Sequence, residues 1–275
     1  MNIYITLKKT VQTLFILSLF LLLSSCEELI NIDLNSADPK IVIEGTVTDQ
    51  PGPYRVTITK TTDYYNPGTY PTVIGAEVTI TDDLGFSEEL QEIENGVYQT
   101  INLQGVSDKI YTLTVIAEGQ TYSAVSSMPQ PTEIDSLYYE KGEGGPRQKD
   151  KEGYNLIVVF RDEPGVEDFK RIKVFRNGIL QSGYFLYNGR LSDGNVIEYN
   201  RIRTDFELGD FVSIELLSID KATYEYYSTL GNAAASASVS KIQTKIPANP
   251  NSNLTGDALG YFGAFTVRPD SILIE

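Results

Sequence analysis

Apolar and polar residues alternate along most of the chain after residue 39. In residues 54–59 and 76–81 every second residue is apolar, which is the period of a half-buried β-strand. Turn-forming pairs such as Asn95-Gly96 separate about seven such runs at intervals of roughly 8–12 residues. The pattern predicts a mainly β protein whose residues 39–131 form an Ig-like or fibronectin-like β-sandwich.

A second β-rich unit is predicted over residues 132–275. Pro129 and Pro131 close the first unit, because proline cannot donate a ladder hydrogen bond. Residues 156–160 form a continuous apolar run, residues 211–216 alternate, and Asn177-Gly178 is a typical hairpin turn. Sequence alone leaves open whether the two units share one continuous core.

One segment departs from the period of two, and it predicts a single amphipathic helix near residues 219–230. Asp220 is the candidate N-cap, and Gly231 follows the predicted end. Residues 233–238 are small and are predicted to form a loop. The helical spacing comes from Ile219, Thr223, Tyr226, Tyr227 and Leu230.

The first 25 residues have the pattern of a lipoprotein signal peptide. Lys8 and Lys9 precede a short apolar run over residues 11–23, and two serines lead directly to Cys26. We expect cleavage before Cys26, acylation of Cys26 (with palmitate among the chains), and a tether over residues 26–38. The alternative is a transmembrane anchor, but the run is shorter than the ~20 residues that a spanning helix needs.

Composition excludes several classes of function. The chain has 22 Lys and Arg against 37 Asp and Glu, and loss of Lys8 and Lys9 with the signal changes the net charge from −15 to −17. Such a surface repels nucleic acid and anionic lipid, so the membrane must be held through the acyl chains. The sequence contains no His, and Cys26 is its only Cys. Histidine-dependent nucleophilic catalysis and the usual zinc sites are therefore excluded, and we expect no cofactor and no enzymatic activity.

A tyrosine-rich loop over residues 64–71 is the first candidate for contact with a ligand or partner. Tyr64, Tyr65 and Tyr70 offer rigid rings with hydroxyl groups, and loops on sandwiches frequently carry recognition. The alternative is that these tyrosines fold back over the sheet.

Two further clusters have a functional and a structural interpretation. Tyr224, Tyr226 and Tyr227 would make a stacking platform, although their helical spacing favours packing in the core. The acids at positions 162, 163, 167 and 168 surround Pro164-Gly165 and could supply oxygen ligands for Ca²⁺. Their spacing matches no twelve-residue calcium loop, so a solvated acidic turn is favoured there, as it is for residues 82, 83 and 193.

Several segments together resemble a family of Bacteroidota outer-membrane lipoproteins with a domain of unknown function (DUF4249-like). The matching segments are residues 26–28, 39–45, 50–54, 95–100, 219–224 and 259–262. Residues 75–80 and 95–98 also resemble carboxypeptidase-regulatory-like modules. The family resemblance implies an outer-membrane protein often encoded beside a TonB-dependent receptor. In that phylum, acids after the lipidated Cys, here Glu27-Glu28, resemble a signal for export to the cell surface.

The function expected from these features is that of a lipid-anchored, non-catalytic binding protein that partners a TonB-dependent transporter in nutrient uptake. Two alternatives remain open. The first is a structural or adhesion module of the cell envelope. The second is a hydrolase, for example of glycans, that uses pairs of carboxylates.

Overall fold

The computed structural model describes residues 38–62, 68, 70–142, 153–191, 193–238 and 249–275. The predicted signal peptide, nearly all of the predicted tether, and Cys26, Tyr64 and Tyr65 lie outside these residues. Residues 38–275 form one compact unit. Most of the described chain is β-strand, which confirms the predicted fold class.

Sixteen strands and one α-helix make up the described chain. In chain order they are β1 (Ile41–Thr48), β2 (Arg55–Lys60), β3 (Glu77–Asp82), β4 (Ser87–Glu89), β5 (Gln91–Glu94), β6 (Val97–Gln99), β7 (Ile110–Ala117), β8 (Gln120–Ser127), β9 (Ile134–Gly142), β10 (Gly153–Arg161), β11 (Phe169–Arg176), β12 (Ile179–Leu180), β13 (Phe185–Asn188), β14 (Val196–Phe206), β15 (Phe211–Ile219), helix α1 (Lys221–Ser238) and β16 (Leu259–Leu273).

One large sheet runs through the whole unit. Its strand order is β12-β11-β15-β16-β1-β2-β6-β5, and β13 also pairs with β11. The long strand β16 joins the two halves, because its first part pairs in parallel with β1 and its second part pairs antiparallel with β15. The sheet therefore crosses the proposed boundary between residues 131 and 132, and the division into two domains stays a prediction.

The N-terminal half is a sandwich of this sheet against a four-stranded sheet of order β4-β3-β7-β8. Inward residues of both sheets, such as Ile43 and Val56 on one side and Ile80 and Leu113 on the other, form one buried cluster. Phe262 of β16 belongs to the same cluster. The N-terminal core is therefore completed by a strand from the far end of the chain.

The C-terminal half has a second core beneath a three-stranded sheet of order β14-β10-β9. Phe160 of β10 and Ile202 of β14 pack there with Ile172 of β11 and Ile214 of β15. Side chains alternate across a strand, so the neighbours of these residues on β11, β15 and β16 face the opposite side of the large sheet. That opposite side carries α1.

Helix α1 begins as the sequence predicts and continues further than predicted. The Asp220 carboxylate accepts a hydrogen bond from the backbone N–H of Thr223 at 2.8 Å, which is N-cap geometry. The helix passes Gly231 and ends at Ser238, whereas the predicted end was residue 230. The small residues predicted as a loop are helical instead, consistent with the high helix propensity of alanine.

The Asp220 carboxylate also connects α1 to the N-terminal sandwich. Its second oxygen accepts hydrogen bonds from the Ser126 hydroxyl at 2.7 Å and from the Ser127 backbone N–H at 3.1 Å. The start of the helix is therefore fixed to β8, and the helix also contacts β11, β13 and β16.

Candidate functional site

A cavity of about 900 Å³ lies where α1 faces β13, β14 and the segment before β13. We call it the tyrosine cavity. Four of its lining residues are tyrosines, one is an arginine, and several are small or hydroxyl-bearing. The lining residues are Ser182, Gly183, Tyr184, Phe185, Leu186, Tyr199, Arg201, Tyr224, Tyr227, Ser228, Gly231 and Asn232.

Stacked aromatic rings support the wall of the cavity that α1 contributes. Tyr227 has its ring centroid 5.9 Å from that of Tyr184 and 5.1 Å from that of Tyr261 on β16. Tyr226 stacks on Tyr261 at 4.4 Å, and the hydroxyls of Tyr227 and Tyr261 are hydrogen-bonded to each other. Tyr226, Tyr227 and Tyr261 are buried, whereas Tyr184 is exposed at the cavity. The rings of this wall are therefore held in place before any ligand arrives.

Arg171 of β11 lies directly behind this wall. Its guanidinium carbon is 3.7 Å from the ring centroid of Tyr227 and 5.9 Å from that of Tyr184, which is cation–π geometry. Its Nε is buried and has no hydrogen-bond partner in the described part of the chain. A buried donor without a partner is costly. Arg171 is not among the residues that line the cavity, so this N–H lies behind the wall and does not open onto the cavity.

Gly231 explains how α1 can approach the exposed ring of the cavity. A Cβ at this position would lie 3.1 Å from Cδ2 of Tyr184, closer than side chains normally pack. Glycine inside a helix costs about 1 kcal/mol relative to alanine. Here the missing side chain allows the ring of Tyr184 to lie against the helix.

Burial raises the pKa of the three buried tyrosines of the wall above its ordinary value. It raises the pKa of Tyr226 to about 12, with a smaller contribution from the charge of Glu44 on β1. Burial also raises the pKa of Tyr227, and it raises the pKa of Tyr261 well above the usual value together with the neighbouring Tyr227. The hydroxyls can donate and accept hydrogen bonds, but they are poor bases and poor nucleophiles.

The family comparison covers nearly the whole chain. Residues 27–270 match the model of a family described as a domain of unknown function, DUF4249. The chain belongs to this family. The predicted resemblance to DUF4249 is thereby confirmed, whereas the association with Bacteroidota and with TonB-dependent receptors stays a prediction. Every residue that lines the tyrosine cavity falls within the matched DUF4249 residues. None of the curated proteins compared with the chain matches it.

In this DUF4249 chain, two of the three helix tyrosines have the structural role that the sequence favours. Tyr226 and Tyr227 are 7% exposed and pack in the core beneath α1. Tyr227 also lines the cavity, as does Tyr224, and their role as a stacking platform for a ligand stays a prediction. Tyr70 of the predicted contact loop is 62% exposed and does not line the cavity. Its role, with that of Tyr64 and Tyr65, stays a prediction.

Other residues of the cavity carry no functional signal in the sequence. Arg171 is a charged residue one position before an alternating run, and its place behind Tyr227 depends on the pairing of β11 with β13 and β15. Tyr184 begins a short apolar run before a turn, and Tyr199 lies in no element that the sequence predicts. Only tertiary packing brings these residues to the helix.

The acidic segment around Pro164-Gly165 is only partly a solvated turn. Glu163 and Glu167 are exposed, as that interpretation requires. Asp162 and Asp168 are 0% and 7% exposed, so the interpretation is wrong for them. Lys170 approaches Asp168 at 2.7 Å, and no group of three or more possible metal ligands occurs within the described ranges.

The buried Asp162 has an unusual environment for a carboxylate. It accepts hydrogen bonds from the Tyr187 hydroxyl at 3.0 Å and from the Gly194 backbone N–H at 3.2 Å. Burial and the adjacent Asp168 carboxylate raise its pKa. Gly189 allows both carboxylates to approach, because a side chain there would collide with them. The arrangement is a structural polar cluster beside the sheet, outside the lining of the tyrosine cavity.

Asp82 and Asp193, two other acids that the sequence places in solvated turns, differ in burial. Asp82 is buried, accepts hydrogen bonds from the backbone N–H groups of Leu84 and Phe86, and pairs with Lys109. A turn therefore does follow Asp82, as predicted, but its side chain is buried and not solvated. Asp193 is exposed, as expected. Within the described ranges, no α-helix combines the length and hydropathy that crossing a bilayer requires.

Proposed function

We propose that this chain is a lipid-anchored outer-membrane protein that binds a small molecule in the tyrosine cavity and serves as an accessory to a TonB-dependent transporter. The main support is the cavity of about 900 Å³, which has a preformed aromatic wall and an unpartnered buried N–H of Arg171 behind it. Cavities of this size, with rigid rings and a few polar groups, are typical of small-molecule sites.

The chemistry of the lining supports binding over catalysis. The lining residues include no Asp, Glu or Lys among those that the structure describes, and the chain has no His. Burial raises the pKa of Tyr226, Tyr227 and Tyr261 further above neutral pH, so these hydroxyls stay protonated there. The cavity therefore offers hydrogen bonds and stacking surfaces but no ready general base.

The anchor and the charge support a place at the outer membrane. With a net charge of −17 after loss of the signal, the protein must rely on acyl chains at Cys26 to stay at a membrane. The acids that follow Cys26 support a cell-surface orientation. In this arrangement the tether over residues 26–38 connects the anchor to the first strand, β1.

Native mass spectrometry tests ligand binding in the cavity. The full-length lipidated chain is released from its own membrane in mild detergent, as the natural protein, as Ser228→Trp and as Glu225→Trp. Ser228 lines the cavity, whereas Glu225 is an exposed position on the same helix. We expect a small-molecule adduct on the natural protein and on Glu225→Trp, and its loss from Ser228→Trp.

Thermal unfolding of the three proteins shows whether each variant is folded. An adduct that is equally abundant on folded Ser228→Trp would place the ligand elsewhere. Absence of any adduct from all three proteins, at every detergent and salt concentration that keeps them folded, would contradict the proposed function.

A further inference from the structure

We infer that the tyrosine cavity selects an anionic, ring-bearing small molecule, whose carboxylate is bound by Arg201 and whose ring lies on the tyrosines. This inference rests on the proposed function, because it names the chemical class of the ligand for the same cavity. It is drawn from the distribution of charge and of unpartnered polar groups around the site.

The charge of the lining is opposite to that of the protein. The chain has 37 acidic residues, yet none lines the described cavity, and the charged residue among the described lining is Arg201. Arg201 is exposed on β14, and it makes no ion pair with any residue whose side chain the structure describes. In a strongly acidic protein, a basic concave site concentrates anions locally.

Arg171 adds a second cation without a counter-ion among the described residues. Other partly or fully buried basic residues of the described chain contact acids: Lys170 lies 2.7 Å from Asp168, and Arg268 lies 2.7 Å from Asp49. Arg171 instead stacks on Tyr227 and leaves its Nε unpartnered. Arg171 is partly buried and does not line the cavity, so it would not contact the ligand itself. Its charge lies behind the tyrosine wall and adds to the positive potential that an anion in the cavity experiences.

The arginine and tyrosine side chains of the cavity together favour a ligand that carries a carboxylate on a ring. A guanidinium presents parallel N–H donors that match the two oxygens of a carboxylate. Tyr184 and Tyr227 line the cavity, and the exposed ring of Tyr184 offers an aromatic surface on which flat ligands stack. The hydroxyl-bearing Ser182 and Ser228 border the same space. Acidic sugars and aromatic acids share this chemistry.

Matched acids and esters test the inference. Calorimetric titration of the full-length lipidated chain in nonionic detergent compares trigalacturonate with its trimethyl ester, and benzoate with methyl benzoate. Esterification keeps the ring and removes the charge. We expect at least one acid to bind at least about tenfold more tightly than its ester, and its affinity to fall as salt concentration rises. The pair in which the acid binds more tightly than its ester shows whether the ligand is an acidic sugar or an aromatic acid.

Three arginine variants show whether the acid is bound in the cavity. Arg201→Gln should weaken binding of that acid about tenfold or more and bring it close to the ester. Arg171→Gln removes a charge behind the wall and should weaken binding less than Arg201→Gln does. Arg161→Gln, at an exposed position at the end of β10, is the matched control and should bind as the natural protein does. Because Arg171 packs on Tyr227, Arg201→Gln carries the test if Arg171→Gln unfolds.

Two results would overturn the inference. Equal binding of acid and ester, unaffected by Arg201→Gln, would show that charge does not select the ligand. Failure of both acids to bind at millimolar concentration would also overturn it. Native mass spectrometry then separates the proposed ligand binding from the proposed anionic class of the ligand. If Ser228→Trp removes an adduct but neither acid binds, the cavity binds a ligand and the anionic class is wrong.

Discussion

Gly260 gives a quantitative test of how β16 joins the two halves of the protein. It pairs with Ile43 of β1, and its φ is 93°, in the left-handed region. A Cβ at this position would lie 2.8 Å from the carbonyl carbon of Ile43 and closer still to its oxygen. Both colliding atoms are backbone, so no side-chain rotation can relieve the collision. Gly260→Ala must therefore shift β16 away from β1.

Gly85 is a matched control, because it has the same φ of 93° and no atom within 4 Å of an added Cβ. Gly85→Ala should cost only the left-handed conformation, about 1–2 kcal/mol. Gly260→Ala should cost that amount and a further ~1–3 kcal/mol for overpacking at the β1–β16 ladder. The total is a large part of the ~5–15 kcal/mol that stabilises a typical domain.

Urea unfolding followed by far-UV circular dichroism measures both variants. We expect Gly260→Ala to lower the midpoint clearly more than Gly85→Ala does, with an unchanged dependence on urea concentration for Gly85→Ala. Equal losses of stability in the two variants would contradict this expectation, because the close pairing of β16 with β1 would then contribute nothing.

Three further predictions concern particular polar groups. Asp220→Ala should lower the free energy of unfolding by about 1–2 kcal/mol through loss of the N-cap, and further through loss of the acceptor for Ser126 and Ser127; an unchanged urea midpoint would contradict both roles. Asp162 has a raised pKa in the folded state, so its contribution to stability is present below the ordinary carboxyl pKa and is lost as pH rises through the raised value. Asp162→Asn cannot ionise, and its stability relative to the natural protein should therefore increase from about pH 4 to about pH 7; a constant difference would exclude this effect. Because burial raises the pKa of Tyr226 to about 12, Tyr226→Phe should leave phenolate absorbance unchanged up to about pH 11, and a loss of absorbance near about pH 10 would contradict its burial.

Local patterns predict the elements of this fold better than they predict the partners of those elements. The alternation over residues 54–59 and the hairpin at Asn177-Gly178 depend on short-range chemistry, and both occur in the structure. The apolar residues around 259–267 predict a strand, but nothing in their period shows that the strand lies parallel to β1, at the opposite end of the described chain. Asp220 marks the start of α1, whereas Gly231 does not end it, because the glycine accommodates the ring of Tyr184.

The candidate site shows the same limit. Helical spacing correctly places Tyr226 and Tyr227 in the core. The cavity itself requires β13 and β14 to approach α1, and the sequence carries no signal for that approach. The burial of Asp162 is unpredictable for the same reason, because its local Pro and Gly neighbours are typical of an exposed turn and its environment depends on the distant Gly189.

Co-purification from the cell envelope would decide whether the protein serves a transporter. The tagged full-length lipoprotein would be isolated from outer membranes in mild detergent, beside an unrelated lipoprotein with the same tag, and the recovered proteins would be quantified by mass spectrometry. We predict a TonB-dependent receptor in near-stoichiometric amount with this chain and not with the control. Recovery of the lipoprotein without such a receptor, or equal recovery with both lipoproteins, would contradict the accessory role and favour an independent module of the cell envelope.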